Sequence, residues 1–153
     1  MSLKGKHIVV GLTGGVACYK IPNLVRLLHK DEAVVQVIMT DAATKFITPL
    51  TLESVSDRAV AVELFPQGEF VSTRHIDFSD WADLIVIAPA TANFLGKMAS
   101  GISDDLLATV VCAHKKPILI APAMNPGMWE NQITQKNYAY LKVLGHQFID
   151  PDE

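Results

Sequence analysis

Three stretches of this chain concentrate residue types that can do chemistry. Gly11-Leu12-Thr13-Gly14-Gly15-Val16 sets two glycines directly after an apolar run, so that backbone amides at a following helix start can approach an anionic or flat polar ligand. The spacing is not G-x-G-x-x-G and no acidic ribose partner is apparent, which disfavours a dinucleotide and leaves either a mononucleotide site or a plain strand-to-helix turn. Thr40, Thr91 and Asn93 follow other apolar runs; singly such residues cap helices, and together they can line one polar site. His75 opens the segment His75-Ile76-Asp77-Phe78-Ser79-Asp80-Trp81-Ala82-Asp83, which leads into a buried run. Histidine is the side chain that exchanges protons near neutral pH, but a lone one also serves structural roles, and spacing leaves both open.

Other chemistries lack their residues. His7, His29, His75, His114 and His146 are dispersed, with no H-E-x-x-H and no paired cysteines, so no metal site is expected. G-x-S-x-G is absent, which removes one signature of a serine nucleophile. Asp104 and Asp105 are neighbours on a helix start and diverge in direction, so they read as cap charges and not as a paired acid and base.

The elements that must position these residues alternate strand and helix, the pattern of an α/β domain with a mainly parallel sheet. Strands are expected at His7–Val10, Val34–Met39, Leu84–Ala88 and Ile118–Ala121, with weaker ones at Ala59–Leu64 and His146–Ile149. Val16–His29 has helical spacing with a kink or late start at Pro22, and Thr48-Pro49 opens a helix over Leu50–Val55. Ser103 is expected to cap a helix with Asp104 and Asp105 in its first turn, between helices at Ala92–Ala99 and Thr134–Leu144. Ligands of open parallel sheets bind beyond the carboxyl ends of the strands. Gly14, Thr40, Thr91 and the stretch Pro122-Ala123-Met124-Asn125 should therefore meet on one edge.

Composition bounds the rest. With 153 residues, half of them apolar and 19% charged, one packed domain is expected, without a linker. A net charge of −3 gives no footprint for nucleic acid, and the apolar runs are too short for a membrane span. No signal peptide is read at the N-terminus, and Cys18 and Cys112 sit in apolar surroundings as buried cytosolic thiols do, so a cytoplasmic protein is expected.

Periodicity does not explain Pro122-Ala123-Met124-Asn125-Pro126-Gly127-Met128-Trp129. This string resembles the P-x-M-N-x-x-M-W motif of the homo-oligomeric flavin-containing cysteine decarboxylases, the family of phosphopantothenoylcysteine decarboxylase and the peptidyl-cysteine decarboxylases of lantibiotic biosynthesis. Pro89-Ala90-Thr91-Ala92-Asn93-Phe94 is similar to that family's P-A-S-A-N-T, with a hydroxyl kept at Thr91 and lost at Phe94. The His75 segment resembles its active-site histidine segment, with Phe78 where leucine is commoner.

The resemblance implies a Rossmann-like or flavodoxin-like three-layer sandwich binding FMN, assembled as homotrimers or dodecamers with flavin between subunits. By motif, Gly14, Gly15 and Val16 would lie along the flavin, Thr40 and Ala42 near its phosphate, and Thr91, Ala92, Asn93 and Ala123 beside it. His75 would be the catalytic histidine, with Asn125 gripping the substrate carboxylate and Met128 beside the substrate. The implied reaction is oxidative decarboxylation of a cysteine carboxylate, with 4′-phosphopantothenoylcysteine of coenzyme A biosynthesis as leading substrate and a cysteine-ended peptide as the alternative. A non-enzymatic flavoprotein regulatory subunit is the alternative of another class. The resemblance further implies a phosphopantothenate–cysteine ligase as a fused or separate partner. The family's C-terminal substrate flap, with its cysteine, should begin near Glu153; without it the enethiol is expected to stay unreduced.

Overall fold

The β-branched and leucine-rich runs form five parallel strands in the order β2-β1-β3-β4-β5: β1 (His7–Leu12), β2 (Val34–Met39), β3 (Leu84–Ala90), β4 (Leu119–Pro122) and β5 (Gln147–Phe148). The computed structural model describes residues 2–67 and 74–152. Side chains alternate across β1. Ile8, Val10 and Leu12 enter one core with Val35, Val37 and Met39, while Val9 enters the other with Ile85, Ile87 and Ile120. Both faces are therefore buried, as a parallel sheet requires.

One face is covered by α1 (Ile21–Lys30) and α2 (Pro49–Ser56). The other carries α3 (Arg74–Trp81), α4 (Ala92–Ser100), α5 (Leu106–Ala113) and α7 (Gln132–Val143), with the short α6 (Pro126–Glu130) leading into α7. Gly11 lets α5 sit close on β1: a Cβ there would lie 2.6 Å from Leu107 Cδ1. The covering is uneven. On the α1 face the ends of β3 and β4 carry no helix, so Ala88 and Ala121 form the floor of a cleft.

The alternative left open at Pro22 resolves to the late start, and several other expectations needed correction. A 3₁₀ turn over Val16–Lys20 precedes α1, so Pro22 marks a late start in the first turn of the helix, where its missing N–H costs nothing. Ala59–Leu64 is not a strand; it makes one bridge, Ile38 to Ala61, and the Gln36 side chain takes the Ala59 carbonyl at 2.9 Å. The cap of α5 is Asp105, not Ser103. Asp105 Oδ1 accepts from Ala108 N–H at 2.7 Å, and Asp104 lies outside the helix. Cys18 is buried as expected, and burial pushes its thiol up, but Cys112 is exposed. The His75 segment, read without an element, is helix α3.

Candidate functional site

The 2-1-3-4-5 order reverses direction between β1 and β3, and the loops leaving those two strands diverge around a crevice. Crevices of this kind hold the ligand in doubly wound folds. Two clefts open there. The larger, about 930 Å³, is lined mainly by apolar atoms from Gly14, Gly15, Val16, Pro89 and Ala92, with Ala123, Asn125 and Met128 on the β4 side. The smaller, about 470 Å³, is lined by Thr40, Asp41, Ala42, Asn93 and Lys97. Gly14, Thr91 and Met128 border both, so a ligand with a flat body and a polar tail can run from one into the other.

Local chemistry sets each wall. Gly14 permits close approach of two loops: a Cβ there would lie 2.5 Å from Ala42 Cβ, and real Cβ atoms do not approach so closely. Gly15 differs, since its Cβ would meet Pro89 Cγ at an ordinary 3.6 Å in an extended backbone that any residue adopts. Gly14→Ala is therefore expected to displace the loop at residues 41–43, weakening ligand binding about tenfold or more through overpacking. Gly15→Ala should keep the melting temperature of the parent. Thermal denaturation and cofactor titration of both variants check this.

Thr91 caps α4 by accepting from Phe94 N–H at 3.1 Å, and Thr40 Oγ1 accepts from Ala43 N–H at 3.2 Å. The Thr40 hydroxyl proton remains to donate into the polar cleft. Lys97, which sequence reasoning missed, does not offer a free charge there. Its ammonium sits 2.8 Å from Asp104 and 3.2 Å from Asp105. The hydrogen bond to Asp104 holds the ammonium above the ordinary lysine range and the Asp104 carboxyl below the carboxylate range. Lys97 faces Asp41, Asp104 and Asp105 among the described lining residues, so an anionic tail in this cleft is met by hydroxyl and backbone donors and not by net positive charge.

Asn125 caps α6, its Oδ1 accepting from Met128 N–H at 3.3 Å. With the oxygen turned toward the helix, the amide nitrogen is left as donor on the rim of the larger cleft. The segment Ile149–Asp152 forms a further wall, pinned by a 2.5 Å hydrogen bond from the Tyr138 hydroxyl to Asp150. Among the described lining residues, Lys20 is the only cation of this cleft, and it too was missed.

His75 is not brought to this site within one chain. It lies half-buried in the first turn of α3, and among the described residues it lines neither cleft. The far end of α3 is fixed at the amino edge of the sheet. There Trp81 stacks on His7 with centroids 4.3 Å apart, and Asp83 accepts from His7 N–H at 2.8 Å. With that end fixed at the amino edge, the first turn of α3 lies toward the carboxyl edge, where His75 still lines neither cleft of its own chain.

A flavin fits these residues: the flat apolar cleft suits a ring system, and the loop approach at Gly14 leads to a smaller cleft with hydroxyl donors for a phosphate end. Residues 1–153 match the family described as Flavoprotein. The chain belongs to this family. It is 48% identical over 153 residues to the coenzyme A biosynthesis bifunctional protein CoaBC of Haemophilus influenzae, covering 99% of this chain and 38% of that protein. The chain thus spans little more than a third of the curated relatives it matches. The crystal structure of the FMN-dependent cysteine decarboxylase SpaF superposes with a TM-score of 0.91 at 32% identity, covering 99% of this chain and 87% of that one. A mutant PPC decarboxylase complexed with pantothenoylaminoethenethiol does so with a TM-score of 0.83 at 32% identity, covering 98% and 84%. The resemblance read from three motifs holds along the chain, as does the flavodoxin-like α/β fold it implied.

Proposed function

We propose that this flavoprotein binds FMN across the two clefts and decarboxylates a cysteine carboxylate, with 4′-phosphopantothenoylcysteine as its substrate in coenzyme A biosynthesis. The observation that carries the reading is one cavity that joins the glycine turn, Thr91 and Ala123 to the Asn125 amide. Bound there, FMN supplies a two-electron acceptor for the hydride on the carbon bearing sulfur, so that the resulting thioaldehyde can take the electron pair that carbon dioxide leaves behind. Gly14, Gly15, Val16 and Ala123 shape the ring cleft; Thr40, Ala42 and Asn93 serve the phosphate end. Asn125 donates from its amide nitrogen to the substrate carboxylate, holding it without neutralising it, which leaves the carboxylate free to depart. Met128 packs beside the substrate. His75 handles the thiol proton.

Because His75 lies outside its own cleft, we read the working form as a homo-oligomer, a trimer in the simplest case, in which the first turn of α3 completes a neighbour's site. Exposed apolar side chains flank both regions, among them Ile76, Met128 and Ile133. Larger exposed apolar surfaces mark association sites. The relatives' greater length accords with a ligase domain acting on the preceding step. No described helix is long and apolar enough to cross a membrane, and a role in coenzyme A synthesis supports a cytoplasmic location.

A second reading, a peptide ending in cysteine as substrate, is favoured by the structural likeness to the peptidyl-cysteine decarboxylase EpiD, which superposes with a TM-score of 0.85 at 26% identity over 97% of this chain and 89% of that one. Lys20 separates the two. An ammonium in the cleft suits a substrate phosphate, so Lys20→Gln is expected to raise KM for the phosphorylated substrate about fivefold, the effect of one partly exposed ion pair. The unphosphorylated analogue should be unaffected. The deciding experiment supplies FMN-loaded protein with 4′-phosphopantothenoylcysteine or a cysteine-ended peptide and measures carbon dioxide and product mass. Release from the peptide alone would transfer the protein to the second reading, and release from neither would end the decarboxylase reading.

A further inference from the structure

Thr13 borders the smaller cleft at the crevice floor, and its hydroxyl, N–H and carbonyl are all bonded within the protein. The side chain is 2% exposed. Its Oγ1 donates to the Pro89 carbonyl at 2.5 Å and accepts from Thr91 N–H at 3.0 Å. Its own N–H donates to the same Pro89 carbonyl at 3.2 Å, and its carbonyl accepts from Gly15 N–H at 2.8 Å and from the Cys18 thiol at 3.2 Å. One residue is thus tied to the β1 loop that carries Gly14 and Gly15 and to the β3 loop that carries Thr91 and Asn93.

The named ladder of β1 with β3 stops short of Thr91. The last register pair of β1 with β3 is Gly11 with Ile87, and past it β3 pairs onward with β4 through Ala90 and Pro122. Divergence of the two strands is what opens the crevice; past Gly11 the Thr13 N–H bond to the Pro89 carbonyl still joins them, and the hydroxyl extends that tie to Thr91 at the start of α4. We propose that Thr13 is a positioning residue whose hydroxyl locks the two walls of the cradle together before a cofactor arrives. The Thr91 N–H held by Thr13 belongs to the residue whose side chain caps α4. The clamp therefore fixes the start of α4, and with it Ala92 and Asn93, against the glycine turn. A preformed cradle spares binding the ordering of two loops.

The proposal rests on the cradle taking FMN, and the test separates the two. In the wild-type apoprotein, amide hydrogen exchange at Thr91 should already be slow and change little when FMN is added. Thr13→Val keeps the shape but leaves the Thr91 N–H without its acceptor; FMN titration followed by absorbance should show affinity about tenfold weaker or more. Thr13→Ser restores the hydroxyl and should bind within about threefold of wild type. Fast exchange at Thr91 in the apoprotein that becomes slow only with FMN would overturn the clamp, since the cofactor would then build the wall. So would Thr13→Val with wild-type affinity. If the valine variant does not fold, the apoprotein exchange and the serine variant decide: slow exchange with tight binding by serine supports the clamp, and a serine variant as impaired as the valine one refutes it. A wild-type protein that shows slow exchange yet takes up no FMN would end the flavin reading and leave the clamp standing as a structural tie.

Discussion

His75→Asn is expected to abolish carbon dioxide release while leaving the fold and FMN binding at wild-type levels. Asparagine can hydrogen-bond but cannot accept a proton at neutral pH, so a base that contributes roughly 10²–10⁴ in rate is lost. The fold should survive because what pins α3 lies elsewhere: Trp81 stacked on His7, Asp83 on the His7 amide, and Phe78 and Trp81 packed against the core. FMN binding should survive because His75 lines neither cleft of its own chain. Visible absorbance of the purified variant together with carbon dioxide measurement checks both halves. A variant that decarboxylates at the wild-type rate would remove His75 from the chemistry.

Asn125→Asp should be as damaging, for a different reason. Aspartate caps a helix as well as asparagine does, so the start of α6 and its bond to Met128 N–H are kept. The amide donor, however, becomes a carboxylate facing the substrate's own. Two like charges about 4 Å apart near a protein surface repel by about 4 kcal/mol, which is roughly a thousandfold in binding or rate. Decarboxylation assays over a range of substrate concentrations should show that saturation is not reached. Wild-type KM and kcat in this variant would refute the assignment.

The two variants together test where the site is built. If one copy supplies His75 and its neighbour Asn125, mixing and reassembling the two inactive proteins should regenerate intact sites at roughly a quarter of all interfaces, with activity to match. If both residues serve one chain, mixing restores nothing. Size-exclusion with light scattering on the same samples reports whether reassembly occurred.

Much of the frame was legible because the signals are local. β-branched runs marked four strands to within a few residues, Pro22 marked the late start of α1, and Thr48-Pro49 opened α2 as read. The failures are equally specific. Helix α3 mixes Asp77, Ser79 and Asp80 with Ile76, Phe78 and Trp81, and shows no clean apolar stripe. Its helical state comes from packing against α5. Ser103, Asp104 and Asp105 are three competent caps in a row; in the fold Asp105 takes the Ala108 N–H with Oδ1 and Lys97 with Oδ2, while Asp104 pairs with Lys97 outside the helix.

The site divides along the same line. The sequence by itself determined the fold class, the family and the residues of the glycine turn, of the Thr91–Asn93 loop and of the Asn125–Met128 stretch, since each is a contiguous string whose chemistry is read in place. Only the tertiary structure decided how the strings meet. It split the expected ligand residues between an apolar and a polar cleft, tied Lys97 into an ion cluster, and left His75 outside its own chain's cradle. It also revealed Thr13, whose partners Pro89 and Thr91 lie more than seventy residues away along the chain. A hydrogen bond across that distance leaves no local pattern. The hydroxyl acquires its role only when β1 and β3 lie side by side.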